Sequence, residues 1–181
     1  MSDTIQQFDE ALTVCRDIFE KKLADYGPSW RIMRPAALTD QIFIKAKRIR
    51  SLEIKGHSAV GEGILPEFIG IVNYGIVGII QIEHGFADSK DIDVATALRW
   101  YDEVAVRIRT LMIAKNHDYD EAWRMMRVLS YTDLILTKIQ RTKEIEDHCG
   151  ETKISEGIDA NYMDMVNYAV FGIIKLSDGS R

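Results

Sequence analysis

The chain has 181 residues, 46% hydrophobic and 28% charged, a composition that excludes a disordered chain and a disulfide-stapled mini-protein. Acidic residues outnumber basic ones by 28 to 23, and the net charge of -5 disfavours broad binding to nucleic acid or to an anionic membrane. The two cysteines, Cys15 and Cys149, lie far apart, and the first residues lack the features of a signal peptide. We therefore expect a cytoplasmic protein.

The sequence contains an internal repeat. The segment DYGPSWRIMR, which begins at Asp25, returns at Asp118 as DYDEAWRMMR, an offset of 93 positions (118 minus 25). After one added residue, VNYGIVGII at Val72 matches VNYAVFGII at Val166, an offset of 94 (166 minus 72). The first copy, the join and the second copy cover about residues 8–82, 83–100 and 101–176. Two fused copies usually pack as a homodimer does, so we expect one domain over residues 1–181 with a pseudo-twofold axis.

Each copy is predicted to form three helices, because apolar residues recur at helical spacing in three windows. In chain order, the six predicted helices span about residues 4–24, 39–54, 65–82, 91–116, 132–148 and 159–176. The second helix of each copy is expected to begin at a Thr-Asp pair suited to an N-cap, at Thr39 and at Thr132. We predict an all-α fold of two tandem three-helix repeats that form a pseudo-twofold helical bundle.

The third helix of each copy is apolar on most faces, so it lies either at the centre of a bundle or in a membrane. Acidic, amide and proline residues within these segments disfavour a membrane span, and we predict no membrane partner. Glycine inside a helix costs about 1 kcal/mol relative to alanine. Gly70, Gly75, Gly78 and Gly172 are therefore expected to serve a purpose, either close approach of the two third helices or space for a ligand.

Carboxylates lie within or just before these apolar helices. Glu67 of the first copy is replaced by Asn161 in the second, and Asp164 of the second copy stands where the first has Gly70. A buried carboxylate without a partner costs several kcal/mol, so each needs a counter-charge. One interpretation is a structural ion pair with a lysine of the second helix, and the other is a Mg²⁺ site shared by the copies. The candidate metal ligands are Glu62, Glu67, Glu156, Asp159 and Asp164.

The repeated segment DYxxxWRxMR joins the first two helices of each copy, and such loops often present functional groups. Its tryptophan could stack on a base and its arginines could bind phosphate through bidentate hydrogen bonds. Alternatively, the segment is a structural plug in which Asp25 pairs with Arg31. The candidate nucleotide-binding residues are Asp25, Tyr26, Trp30, Arg31, Arg34, Lys45 and Asn73, with Asp118, Tyr119, Trp123, Arg124, Arg127, Lys138 and Asn167 in the second copy.

The motifs DYGxxWR, TDxIxxKxxR and VNYxxxGII resemble an uncharacterised bacterial and phage family described as nucleotide modification associated domain, type one. The resemblance covers nearly the whole chain. More remotely, acids on bundle helices before a central DxxNY helix are similar to all-α nucleotide pyrophosphohydrolases of the MazG and dimeric dUTPase type. That resemblance implies Mg²⁺ held by ExxE and ExxD pairs. Here the ExxD pair is split, with Glu67 in one copy and Asp164 in the other.

From these resemblances we expect a Mg²⁺-dependent nucleotide pyrophosphohydrolase or a related nucleotide-processing protein. Glu67 and Asp164 would be its catalytic acids, and a phosphoanhydride of an NTP or dNTP would be hydrolysed. The alternative is a nucleotide-binding or assembly module without catalysis, and a third interpretation is a purely structural bundle. The expected partner is a nucleotide or a similar phosphate ligand rather than nucleic acid, and the sequence leaves open a homodimer.

Overall fold

The computed structural model describes residues 2–59, 61–154 and 156–179, with side chains from residue 3 onward. All regular secondary structure in these ranges is helical, which confirms the predicted fold class. The helices are α1 (Ser2–Tyr26), α2 (Pro35–Lys55), α3 (Leu65–His84), α4 (Val94–Asp118), α5 (Val128–Asp147) and α6 (Ile158–Ser177), with short 3-10 helices at Ser29–Ile32 and Ala122–Met125. Helices α1 to α3 form the first repeat and α4 to α6 the second.

The second helix of each repeat begins one turn earlier than predicted, at Pro35 and at Val128. The prediction that Thr39 and Thr132 are N-caps is therefore wrong. Proline suits the first turn of α2, because it fixes φ and has no N–H group to leave unpaired. Thr39 is instead buried inside α2, and its hydroxyl donates to Glu146 Oε1 of the other repeat at 2.7 Å.

Helices α3 and α6 pack most extensively of all helix pairs and form the centre of the bundle, as the sequence predicted. Three glycines allow this approach, because a Cβ at each would meet a side chain of the facing helix at less than ordinary contact distance. These pairs are Gly75 with Val166, Gly78 with Tyr162 and Gly172 with Phe68. Gly70 differs, because it faces α2 and leaves space for the aliphatic part of Lys45.

Polar pairs that join the two repeats occur twice, once on each side of a pseudo-twofold axis. Arg16 binds both oxygens of Asp102 at 2.7 and 3.0 Å, and Arg109 binds both oxygens of Asp9 at 2.6 and 2.9 Å. The hydroxyl of Thr132 donates to Glu53 at 2.9 Å, which mirrors the bond of Thr39. These four pairs form two sets related by the repeat offset, so the packing has the predicted pseudo-twofold symmetry.

Helix α3 is the one described helix that is long and apolar enough to cross a membrane. Most of its apolar stretch is buried inside the bundle, as is usual for the core helix of a soluble protein.

Candidate functional site

A cavity of about 550 Å³ lies in the first repeat, between α1, the first 3-10 helix, α2 and α3. Its volume is within the range of roughly 300–1,000 Å³ that is common for small-molecule sites. Its apolar and aromatic walls are formed by Ile18, Phe19, Leu23, Trp30, Ile32, Met33, Pro66, Ile69 and Val77. Its polar lining is formed by Lys22, Tyr26, Ser29, Lys45, Asn73 and Tyr74. We term this space the first-repeat cavity.

Two lysines reach the first-repeat cavity from different helices. Lys45 extends from α2 across Gly70, and its Nζ lies 3.3 Å from Glu67 Oε2. The same carboxylate is held more closely by Arg48, at 2.6 Å from Nη1 to Oε1. Lys22 extends from α1, is exposed, and makes no ion pair within the described residues. The cavity therefore has one lysine without an ion pair and one whose acid has a second, closer partner.

The corresponding aromatic space in the second repeat is filled by the chain itself. Phe171 stands at the position of Val77 and stacks on Trp123, with ring centres 4.6 Å apart and planes at 13°. The same ring contacts Phe8 and Tyr131 at centroid distances of 6.0 and 6.2 Å. The larger side chain thus occupies the volume that stays open in the first repeat.

The corresponding polar space is filled by Asp164, which stands at the position of Gly70. Its carboxylate is almost fully buried and accepts from Lys115 at 2.5 Å and from Lys138 at 2.6 Å. These lysines are the repeat counterparts of Lys22 and Lys45. The charge of Asp164 is therefore neutralised within its own repeat.

Arg31 is buried and does not line the first-repeat cavity. Its guanidinium binds both oxygens of Asp91, at 2.8 and 3.0 Å, and this hydrogen bonding lowers the pKa of the Asp91 carboxyl. It also donates to the Gly85 carbonyl at 2.6 Å and to the side chain of Gln81. The proposed pairing with Asp25 is not formed, and Arg31 fixes the 3-10 helix to the join between the repeats.

Arg124 has the same structural task in the second repeat. It donates to Glu121 at 2.9 Å, to Gln7 at 3.0 Å and to Thr4 at 2.7 Å, and it lies over the ring of Trp123. The first arginine of each DYxxxWRxMR segment therefore makes contacts that hold the fold together.

The remaining residues of the two segments lie mostly at the surface. Tyr26 is half exposed at the first-repeat cavity, and burial, followed by the charges of Tyr74 and Asp25, raises its pKa. The second arginine of each segment precedes the following helix. The exposed members are Asp25, Arg34, Asp118, Tyr119 and Arg127. Of the segment's residues, Tyr26 and Trp30 contribute most directly to the cavity.

The two equivalent asparagines have different surroundings. Asn73 donates to the Cys15 carbonyl at 3.0 Å and accepts from the Tyr101 hydroxyl at 2.8 Å. Asn167 is more deeply buried, but its amide nitrogen and oxygen have no hydrogen-bond partner within the described residues. The counterpart of Tyr101 is Phe8, which has no hydroxyl. Both the nitrogen and the oxygen of the Asn73 amide are thus hydrogen-bonded within the protein. Asn73 forms part of the cavity wall.

The carboxylates predicted to bind Mg²⁺ do not converge. Glu67 and Asp164 are each held by two basic residues of their own repeat. Glu62 is exposed and lies 3.7 Å from Arg48, and Glu156 and Asp159 are exposed. No group of three or more His, Cys, Asp or Glu side chains within the described residues is close enough to hold a metal ion. This arrangement does not fit a magnesium site, since Mg²⁺ needs carboxylate oxygens that lysines do not already occupy.

Several residues that shape the site were missed by sequence analysis. Gln81 is buried and donates to the carbonyls of Arg31 and Met33, at 2.9 and 2.7 Å, which fixes the 3-10 helix above the cavity. Lys22 and Val77, which also line the cavity, are not among the candidate residues that the sequence predicts. The available signal was the contrast between copies, since Val77 and Gly70 are small where the second repeat has Phe171 and Asp164.

A family model described as nucleotide modification associated domain 1 matches residues 22–82 and again residues 115–176. The two matched segments cover most of the chain and correspond to the two repeats. No curated protein and no solved structure matches the chain. The first-repeat cavity lies almost entirely within the first matched segment.

Proposed function

Since the chain belongs to the family described as nucleotide modification associated domain 1, we propose that it binds a nucleotide in the first-repeat cavity. The observation that supports this most is the contrast between the two repeats. One repeat has an open cavity with an aromatic wall and two lysines, and the other has filled the same space with its own side chains.

The chemistry of the cavity suits a nucleobase. Trp30 forms part of its wall, with Phe19 packed beside it at a centroid distance of 6.3 Å. Stacking of a base on an aromatic side chain contributes about 1–3 kcal/mol. The ribose and phosphate would extend toward Lys22 and Lys45, where an anion gains charge-assisted hydrogen bonds.

The proposal concerns binding, and it includes no hydrolytic step. A hydrolase would need a carboxylate free to orient water or to hold Mg²⁺. Glu67 and Asp164 are instead engaged by lysine and arginine side chains. The proposed activity is thus that of a nucleotide-binding module, in which the second repeat provides structural support.

The test is isothermal titration of the protein with purine and pyrimidine nucleoside 5′-monophosphates, each with and without Mg²⁺. We expect at least one of them to bind, and Val77→Phe to weaken its binding by roughly a hundredfold, because the new ring would occupy the stacking position. Val106→Phe is the matched control, since Val106 is exposed on α4 away from the cavity. Absence of binding across the panel would overturn the proposal, as would equal binding by the Val77→Phe variant.

Catalysis is measured separately, as pyrophosphate release from NTPs and dNTPs in the presence of Mg²⁺. The proposal expects no release above the rate without protein. Turnover that is lost in a folded Asp164→Asn variant would contradict the binding-only account and would support the hydrolase instead.

A further inference from the structure

We infer that Phe171 and Asp164 are an internal imitation of the ligand, and that the first-repeat cavity therefore takes a nucleotide with a single phosphate. This inference rests on the proposed function and specifies its ligand class. The base would lie where the Phe171 ring lies in the second repeat, and the phosphate would lie where the Asp164 carboxylate lies.

The position of the base follows from the tryptophans. Trp123 is covered by the nearly parallel Phe171 ring at 4.6 Å, the geometry of an offset aromatic stack. Trp30 is the counterpart of Trp123, and it lines the cavity together with the small Val77, the counterpart of Phe171. A planar base on Trp30 would therefore restore the contact that the second repeat makes internally.

The position of the phosphate follows from the lysines. Asp164 lies between Lys115 and Lys138, with one oxygen bound to each. Their counterparts Lys22 and Lys45 both line the cavity, and Lys45 lies across Gly70, in the space that the Asp164 side chain takes in the second repeat. An incoming phosphate would supply the missing negative charge.

Lys45 can turn toward such a phosphate without leaving a buried acid unpaired. Its present bond to Glu67 is long, at 3.3 Å, whereas Arg48 binds the same carboxylate at 2.6 Å. Glu67 therefore keeps its counter-charge when Lys45 moves.

The spacing of the two imitating side chains sets the length of the ligand. Residues 164 and 171 are two helical turns apart, about 10 Å along the axis, which suits a base joined to one phosphate through a ribose. Glu67 lies one turn beyond Gly70, on the side away from the base. A second or third phosphate would extend beyond the length that Phe171 and Asp164 define, to a place where Arg48 is already bound to Glu67 at 2.6 Å.

The experiment compares a nucleoside, its 5′-monophosphate and its 5′-triphosphate in the adenine, guanine, cytosine and uracil series by isothermal titration. In the series that binds, we expect the monophosphate to bind roughly tenfold or more tightly than the nucleoside, and the triphosphate no more tightly than the monophosphate. Gly70→Asp would add a carboxylate beside these lysines, as in the second repeat, once the flexible end of Lys45 that now lies over Gly70 moves aside. In that variant the ratio of monophosphate to nucleoside affinity should fall to about one.

Lys22→Gln provides a second variant that removes one phosphate ligand without adding a side chain at Gly70, and it should lower the same ratio. Lys21→Gln is the matched control, because Lys21 is the exposed neighbour on α1 that does not line the cavity. Equal binding of nucleoside and monophosphate by the natural protein would overturn the phosphate position while the proposed function stands. A triphosphate that binds more tightly than the monophosphate would overturn the single-phosphate limit. If neither nucleoside nor nucleotide binds, the proposed function fails as well.

Discussion

The two repeats share a backbone plan and differ in what fills the space beneath their tryptophans. In the first repeat, Trp30 borders an open cavity with lysines at its edge. In the second, Phe171 covers Trp123 and Asp164 joins two lysines. The difference depends on two positions of the third helix that lie two helical turns apart. They are Gly70 and Val77 in the first repeat, and Asp164 and Phe171 in the second. Under the proposed function, one copy has a site for an external ligand, and the other fills the same space with its own side chains.

The comparison also shows how a duplicated chain can divide its tasks. Buried, internally paired groups in the second repeat stabilise the bundle. The first repeat leaves apolar wall and the charge of Lys22 uncovered, an arrangement that costs stability and that the proposed function explains as a binding site. Substitutions that give one repeat the residue found at the equivalent position of the other should therefore have opposite effects on stability in the two repeats.

The largest effect is expected for Asp164→Asn. The change leaves the partly exposed Lys115 and the mostly buried Lys138 without their shared carboxylate, and it should lower the free energy of unfolding by about 3 kcal/mol. Denaturant unfolding followed by circular dichroism measures this value. Glu62→Gln, at an exposed acid, is the control and should change stability by less than about 0.5 kcal/mol. An unchanged unfolding midpoint for Asp164→Asn would contradict the claim that the internally paired carboxylate stabilises the second repeat.

A smaller loss is expected when Phe171 is replaced by the residue of the first repeat. Phe171→Val removes the stack on Trp123 and should cost about 2 kcal/mol. The reverse change, Val77→Phe, adds a ring where space exists and should cost little or increase stability. Thermal unfolding of both variants tests the comparison, and equal losses would contradict it.

The asparagine environments predict a pair of effects near 1 kcal/mol. Tyr101→Phe removes the hydroxyl that donates to Asn73, so stability should fall by about 1 kcal/mol. Phe8→Tyr places a hydroxyl at the equivalent position beside the unpaired amide of Asn167 and should raise stability by up to about 1 kcal/mol. Chemical denaturation of both variants checks the signs. A loss on Phe8→Tyr would show that the second repeat has no room for the hydroxyl.

The smallest effect concerns the carboxyls that join the repeats. Burial raises the pKa of Glu53 and Glu146 above the ordinary value of 4.5, although each accepts a hydrogen bond from a threonine. The folded state therefore binds these protons more tightly than the unfolded state, and ionisation of the carboxyl as the pH rises destabilises the fold. Glu146→Gln removes the ionisable carboxyl and with it this destabilisation. The stability of the variant relative to the natural protein should therefore increase as the pH rises from below 4.5 to 7. Melting temperatures across this range measure the trend, and a difference that decreases with pH would contradict it.

The fold could be predicted from the sequence because its signals are local and occur twice. Helical periodicity located the six helices, and the glycines of α3 and α6 indicated the close central crossing that the structure confirms. The start of α2 was placed wrongly, because Thr39 resembles an N-cap in sequence. Its actual partner, Glu146, lies in the other repeat and could not be identified from spacing.

The site is harder to predict than the fold, because the sequence alone favours the residues kept in both copies as the functional ones. Arg31 is kept for a structural reason, and its partners Asp91 and Gln81 are distant in sequence. The cavity instead depends on positions where the copies differ. Whether a small residue leaves a space or lies against another helix depends on the packing, which residue spacing alone does not determine.

The most direct test of the contrast between the repeats uses the chain's three tryptophans, Trp30, Trp100 and Trp123. Their indole N–H signals in a two-dimensional NMR spectrum can be assigned by individual Trp→Phe variants and followed while a nucleoside 5′-monophosphate is added. We expect the signal of Trp30 to shift with a saturable dependence on ligand, and those of Trp100 and Trp123 to stay in place. A saturable shift of Trp123 with Trp30 unchanged, or no shift of any indole at high ligand concentration, would contradict the account.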